Sequence, residues 1–166
     1  MRTKVSLVGL ALALCVVCAP DLRAASGGPD DELLQTGIHF VPPEGWTRSV
    51  STGASPGFVF TSHDRRASIT IPQPRRVMAL SLWLAWSMLR TTKKPEQERE
   101  TKLAGVTCRV FEFQERHATG GFAKIQEYHC PRGGLLYTIN YVAKTQDFDR
   151  YLPAFEESLG SFSLSQ

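Results

Sequence analysis

The sequence runs to 166 residues, 42% hydrophobic and 21% charged, with 19 Lys and Arg against 16 Asp and Glu and four cysteines. A chain of this length builds one domain by default, and its near-neutral balance, with only the scattered basic doublets Arg65-Arg66, Arg75-Arg76 and Lys93-Lys94, argues against a nucleic-acid-binding face. Outside the apolar N-terminal run there is no Cys-x-x-Cys pair, and nowhere a His-x-x-x-His pair or a glycine loop opening a helix, so the common redox, metal and phosphate-cradling motifs are excluded.

In chain order, Arg2 and Lys4 precede an almost wholly apolar run over 6–19, and the small residues Ala24, Ala25 and Ser26 follow. This is the pattern of a secretory signal peptide. The expected leader and cleavage region span 1–26, cut after Ala24 or after Ser26, and the expected address is periplasmic or secreted. Cys15 and Cys18 follow Leu14 and Val17, where a lipid-modified cysteine follows Gly, Ala or Ser, so no lipid anchor through Cys18 is expected. The apolar run falls short of the roughly 18 to 20 residues that cross a bilayer, and no transmembrane segment is expected in the mature chain. Arg2, Lys4 and Arg23 belong to the leader against Asp21 alone, so most of the excess positive charge leaves with it. Residues 27–32, rich in Gly, Pro and Asp, read as a flexible linker, and 33–166 as a single α+β domain.

Residues 37–41 suggest a short strand, and Pro42-Pro43-Glu44-Gly45 a turn, because two prolines fix φ and Gly45 permits a positive one. Trp46, directly after that turn, reads as a core anchor at one end of the sheet. Alternation over 57–64 and 67–71, with Phe58, Phe60, Ile69 and Ile71 inward, predicts a hairpin closed by His63-Asp64-Arg65-Arg66. Residues 77–89 predict a helix apolar on more than one side, carrying Trp83 and Trp86. Residues 93–100 are charged and contain Pro95, so they read as an exposed connection into Leu103-Ala104-Gly105. A three-strand meander follows over 106–116, 122–130 and 135–142, with loops at 117–121 and 131–134. Residues 147–159 carry apolar side chains at a spacing of three and four and predict an amphipathic helix ended by Gly160; 161–165 could add an edge strand.

A first meander loop centred on Thr119 sets Cys108 opposite Cys130. Export supplies an oxidising setting, so a Cys108–Cys130 disulfide is expected, the alternative being two buried thiols. It would close a ring of about 22 residues, worth roughly 3 kcal/mol in the chain-entropy model. The same register pairs Val110 with Tyr128, and a loop at 131–134 brings Tyr128 beside Tyr137. Apolar residues then fall on both faces of the sheet. A sheet of that kind is covered on both sides, so the expected class is α+β: a central antiparallel sheet with helices on both faces, a three-layer α/β/α sandwich.

The run Phe40-Val41-Pro42-Pro43-Glu44-Gly45-Trp46, the Leu103-Ala104-Gly105 entry to a long meander, and residues 148–155 followed by Leu159-Gly160-Ser161-Phe162 resemble the PsbP-like superfamily. The resemblance implies an antiparallel sheet between helical layers and a binding or assembly role with no shared active site. The matched positions are of structural type, so it transfers no functional residue.

No catalytic residue, cofactor or metal site is expected. His39, His63, His117 and His129 show no ligand spacing, and no Gly-x-Ser-x-Gly elbow occurs. The polar cluster that the register offers is Arg109 facing His129, with Glu127 on the same face. The candidate binding surface is therefore Trp83, Trp86, Arg109 and His129. The favoured function is a non-enzymatic accessory protein engaging a protein or envelope partner. The alternative is a small apolar-ligand site between sheet and helix, walled by Trp46, Tyr128, Tyr137 and Tyr141, and a hydrolase or metal enzyme ranks below both.

Overall fold

The computed structural model describes residues 37–52, 56–77, 95–116 and 120–165. The expected leader, the linker, His117 and all but the first residue of the expected helix over 77–89, with Trp83 and Trp86, lie outside them.

Among the described residues the strands are β1 (Ile38–His39), β2 (Thr47–Ser51), β3 (Gly57–Thr61), β4 (Ala67–Pro72), β5 (Arg75–Arg76), β6 (Gln97–Leu103), β7 (Val106–Arg116), β8 (Phe122–Arg132), β9 (Leu135–Lys144) and β10 (Ser163–Leu164). One helix, α1 (Phe148–Gly160), lies between β9 and β10. The main sheet is antiparallel throughout, in the order β2-β3-β4-β9-β8-β7-β6, with β5 also paired to β9, while β1 and β10 form a separate ribbon.

The expected register of β7 on β8 holds: Val110 faces Tyr128 and Arg109 faces His129. Cys108 and Cys130, both fully buried, are joined by a disulfide with their Cα atoms 4.3 Å apart. The β8–β9 register differs from the expected one by two residues, because the turn is only Gly133-Gly134. Both have positive φ (58° and 75°), as the two central residues of a type I′ hairpin turn require. Pro131 and Arg132 therefore continue β8, and Tyr128 faces Ile139 rather than Tyr137. A shift of two leaves every side chain on its face.

One face of the sheet carries the core. Phe60, Ile69, Tyr141, Ile139, Tyr128 and Val110 are at most 2% exposed, and α1 seats Phe148, Phe155 and Leu159 on them. The β1–β10 ribbon adds Ile38 and Leu164, tied down where Arg132 Nη1 donates to the Leu164 carbonyl at 3.1 Å.

The three-layer expectation is overturned: the described residues form a predominantly β structure, an eight-stranded antiparallel sheet with one helix on one face. On the opposite face Phe111, Ala123, His129 and Leu136 are buried, while Phe113, Ile125, Val142, Ser68, Thr70 and Asn140 are half-buried. The apolar side chains that suggested a second helical layer are interleaved with polar ones, and half-burial satisfies them. The charged segment read as a connection over 93–100 is, from Gln97, the edge strand β6.

Candidate functional site

Three segments far apart in sequence meet along α1. The first is the proline turn. The Trp46 N–H donates to the Pro43 carbonyl at 3.2 Å, and Gly45 has φ +75°, the third position of a type II turn, where glycine is favoured. The turn is stitched to the far end of α1, since the Val41 N–H donates to Ser161 Oγ at 2.8 Å and that hydroxyl donates to the Ser158 carbonyl at 2.6 Å. Trp46 is thereby held half-buried, edge-on to Tyr151 with ring centroids 6.1 Å apart.

The second segment is the β3–β4 loop. Ser62 Oγ accepts from the N–H groups of Arg66 and Ala67 (3.1 and 3.0 Å) and donates to Asp64 Oδ1 at 2.9 Å, fixing the loop from inside. The third is the first turn of α1. Tyr151 donates a short hydrogen bond to Asp64 Oδ2, with Arg66 and Arg150 at 3.8 and 3.9 Å from the same oxygen. Arg66 also reaches the buried Asp147 at 3.3 Å. The Tyr151 hydrogen bond, with smaller contributions from Ser62, the Arg66 N–H and Arg150, holds the Asp64 carboxyl down at about 2. The same bond raises the Tyr151 phenol.

Two clefts flank Trp46 and share it with Glu44. The smaller, about 290 Å³, opens onto His63, Asp64, Arg150 and Tyr151. The larger, about 730 Å³, is walled by Val41, Pro42, Pro43 and Ala154, with Glu157 at its edge. Val41 is 53% exposed, and with Phe122 makes up the exposed large hydrophobics among the described residues.

The residues expected from sequence fall elsewhere. Arg109, His129 and Glu127 do share a face, but Arg109 ion-pairs with Glu98 and lies over the Phe111 ring at 5.5 Å. His129, 5% exposed, has Nε2 at 3.2 Å from Glu127 Oε2 and its ring edge-on to Phe111. Of the four expected pocket walls, Tyr128, Tyr137 and Tyr141 are buried in the core. Tyr141 stacks on Phe155 at 4.7 Å and donates to the Phe148 carbonyl at 2.7 Å. The space between sheet and helix at Tyr141 is filled by the Phe148 and Phe155 rings. Two of the four border clefts: Trp46 lines the two just described, and Tyr128, though only 2% exposed, borders a third by α1 and β6. Among the described residues no group of three His, Cys, Asp or Glu side chains is placed to hold a metal ion.

Asp64 and Tyr151 were not singled out as site residues, because one sits in a polar hairpin tip and the other on the apolar stripe of a helix. The only local signal is Ser62 two residues before Asp64, the spacing of a self-bonded turn.

No protein-family model matches the chain, and no curated protein matches it in sequence. Solved structures do. The chain is similar to the cyanobacterial PsbP of Synechocystis sp. PCC 6803 (TM-score 0.58, 16% identity, 84% of this chain and 98% of that one). It is also similar to PA94, a protein of unknown function from Pseudomonas aeruginosa (TM-score 0.53, 11% identity, 70% and 94%). A third match is a Bacteroides thetaiotaomicron VPI-5482 protein (TM-score 0.57, 11% identity), of which the chain spans 46% while 78% of its own length is covered. At such identities the likeness is one of fold, and the chain has the PsbP-like fold.

Proposed function

We propose that this chain is an exported, non-enzymatic accessory protein that engages a protein or other component of the cell envelope through the Trp46 corner. The observation that carries the reading is the pairing of an aromatic anchor with an exposed aliphatic residue, Trp46 with Val41, around two open clefts. The Val41 backbone is tied to Ser161, the Trp46 N–H to the Pro43 carbonyl, and the Trp46 ring packs on Tyr151, itself bonded to Asp64, so a partner would meet a surface already ordered. Half-buried aromatic side chains in rigid surroundings are the usual energetic centres of interfaces. The polar groups nearby, Asp64, Arg66, Arg150 and Asp147, are ion-paired with one another, and of their buried atoms only Asp147 Oδ2 is left unbonded, which suits positioning rather than proton transfer. The leader-like pattern over residues 1–26 and the disulfide both support export. In the described residues no helix is long and apolar enough to cross a membrane.

The test is a photo-crosslinking residue placed at Val41 in the full chain and, as a control, at the exposed Thr107 on β7. Cells are fractionated after irradiation. The expected result is a shortened chain in the envelope fraction, crosslinked to a discrete product from Val41 but not from Thr107. Loss of that product in Trp46→Ala would tie it to the corner; equal products from both positions would defeat the reading.

A further inference from the structure

The sign of charge around the larger cleft narrows what it can hold. Its described lining combines an apolar wall, Val41, Pro42, Pro43 and Trp46, with two carboxylates, Glu44 and Glu157, and contains no Lys or Arg. Both glutamates are exposed, and neither forms an ion pair with any described cation. Elsewhere Glu98 takes Arg109, Glu112 takes Lys124 at 2.7 Å, and Asp64 takes Arg66 and Arg150, while Glu96, Glu100, Asp149 and Glu156 are, like the cleft glutamates, exposed and form no ion pair with a described cation; what sets the cleft apart is two such carboxylates beside an apolar wall. A third cleft, by α1 and β6, has the opposite character and is lined by Arg99 and Lys102 beside Tyr128 and Glu156.

An indole beside two carboxylates that pair with no described cation, together with an aliphatic wall, suits a long cationic side chain. The methylenes of lysine or arginine lie along apolar surface while the charged head seeks carboxylate or the face of an indole. We infer that the larger cleft at Trp46 docks a lysine- or arginine-bearing segment of the partner protein, with Glu44 and Glu157 as counter-charges. This rests on the proposed binding role of the corner and names the chemistry of what binds there.

Octalysine, octaglutamate and a neutral Gly-Ser octapeptide are titrated into the isotopically labelled full chain at low salt, following indole and backbone amide NMR shifts. Octalysine should shift the Trp46 indole and the Val41 and Ala154 amides, and added salt should weaken it, as for any exposed charge pairing. Because both glutamates are exposed, Glu44→Gln/Glu157→Gln should fold normally and weaken octalysine about tenfold, the combined effect of two modest surface ion pairs. Octaglutamate, if it binds, should shift residues around Arg99 instead. The inference is overturned if octalysine shifts nothing at the corner, if the neutral peptide binds as well, or if the double variant binds unchanged. A Val41 crosslink that persists in the double variant would remove the cationic partner and leave the binding role standing.

Discussion

At the scale of single residues, the corner depends on the bond between Tyr151 and Asp64, which spans 87 positions and joins α1 to the β3–β4 loop. The Asp64 carboxyl is lowered from its ordinary 3.8 to about 2, so its contribution to stability is fully present above about pH 4 and is lost as pH falls through about 2. The Tyr151 phenol is raised above its ordinary 10, so the bond also favours the folded state below that pH and fades as the phenol ionises. Asp64→Asn removes the ionised acceptor while keeping the shape. Two changes are expected: Tyr151 should ionise at lower pH than in the parent, read from phenolate absorbance, and the stability gap between parent and variant should close between about pH 4 and pH 2. A gap that stays constant across that window would mean that the carboxylate is not what holds the loop to the helix.

At the scale of elements, α1 is attached chiefly by Phe155, which is fully buried, stacked on Tyr141 and edge-on to Tyr128 with centroids 5.7 Å apart. Replacing Phe155 by alanine empties that contact and should cost about 3 to 5 kcal/mol, seen as a lower urea midpoint with little change in slope. A loss below about 1 kcal/mol would show that the helix is held elsewhere. This helix was legible because Phe148, Tyr151, Leu152, Phe155 and Leu159 repeat at its period. The hairpin β3–β4 and the pairing of β7 with β8 were legible for the matching reason, alternation closed by polar or glycine-bearing loops. The edge strands β2 and β6 were not. An edge strand turns charged and polar residues to solvent on both sides, as in Glu98, Arg99, Glu100 and Lys102, and such a pattern cannot be told from a linker until the sheet is seen. The three-layer expectation failed on a related ambiguity, since Phe113, Ile125 and Val142 are half-buried, and apolar residues of that kind alternate like core residues without requiring a layer over them.

At the scale of the whole molecule, what local pattern conveys is pairing between neighbours in sequence, and what it omits is closure between distant segments. The Trp46 corner is of the second kind: Val41 meets Ser161 across 120 positions, and no periodicity in either segment announces the other. The disulfide is of the first kind, since Cys108 and Cys130 belong to consecutive strands and their opposition followed from where one hairpin turns. That difference predicts how the two ends of the structure respond to loss of the bond. The ring of 22 residues limits mainly the unfolded chain, so Cys108→Ala/Cys130→Ala should cost roughly 3 kcal/mol, or about 6 to 12 °C in melting midpoint for a domain of this size. The native β7–β8 ladder should survive, because its register is set by the backbone pairs from Arg109–His129 to Arg116–Phe122 and not by the sulfurs. The corner, assembled from the proline turn, the β3–β4 loop and α1, should be untouched below the new midpoint, with the Trp46 indole resonance and octalysine titration unchanged. Adding reductant to the parent should reproduce the same fall in midpoint and have no effect on the double variant. If the variant melts where the parent does, the bond contributes nothing through the unfolded chain; if the Trp46 resonance moves, the two ends are coupled through the sheet in a way that their separate assembly does not require.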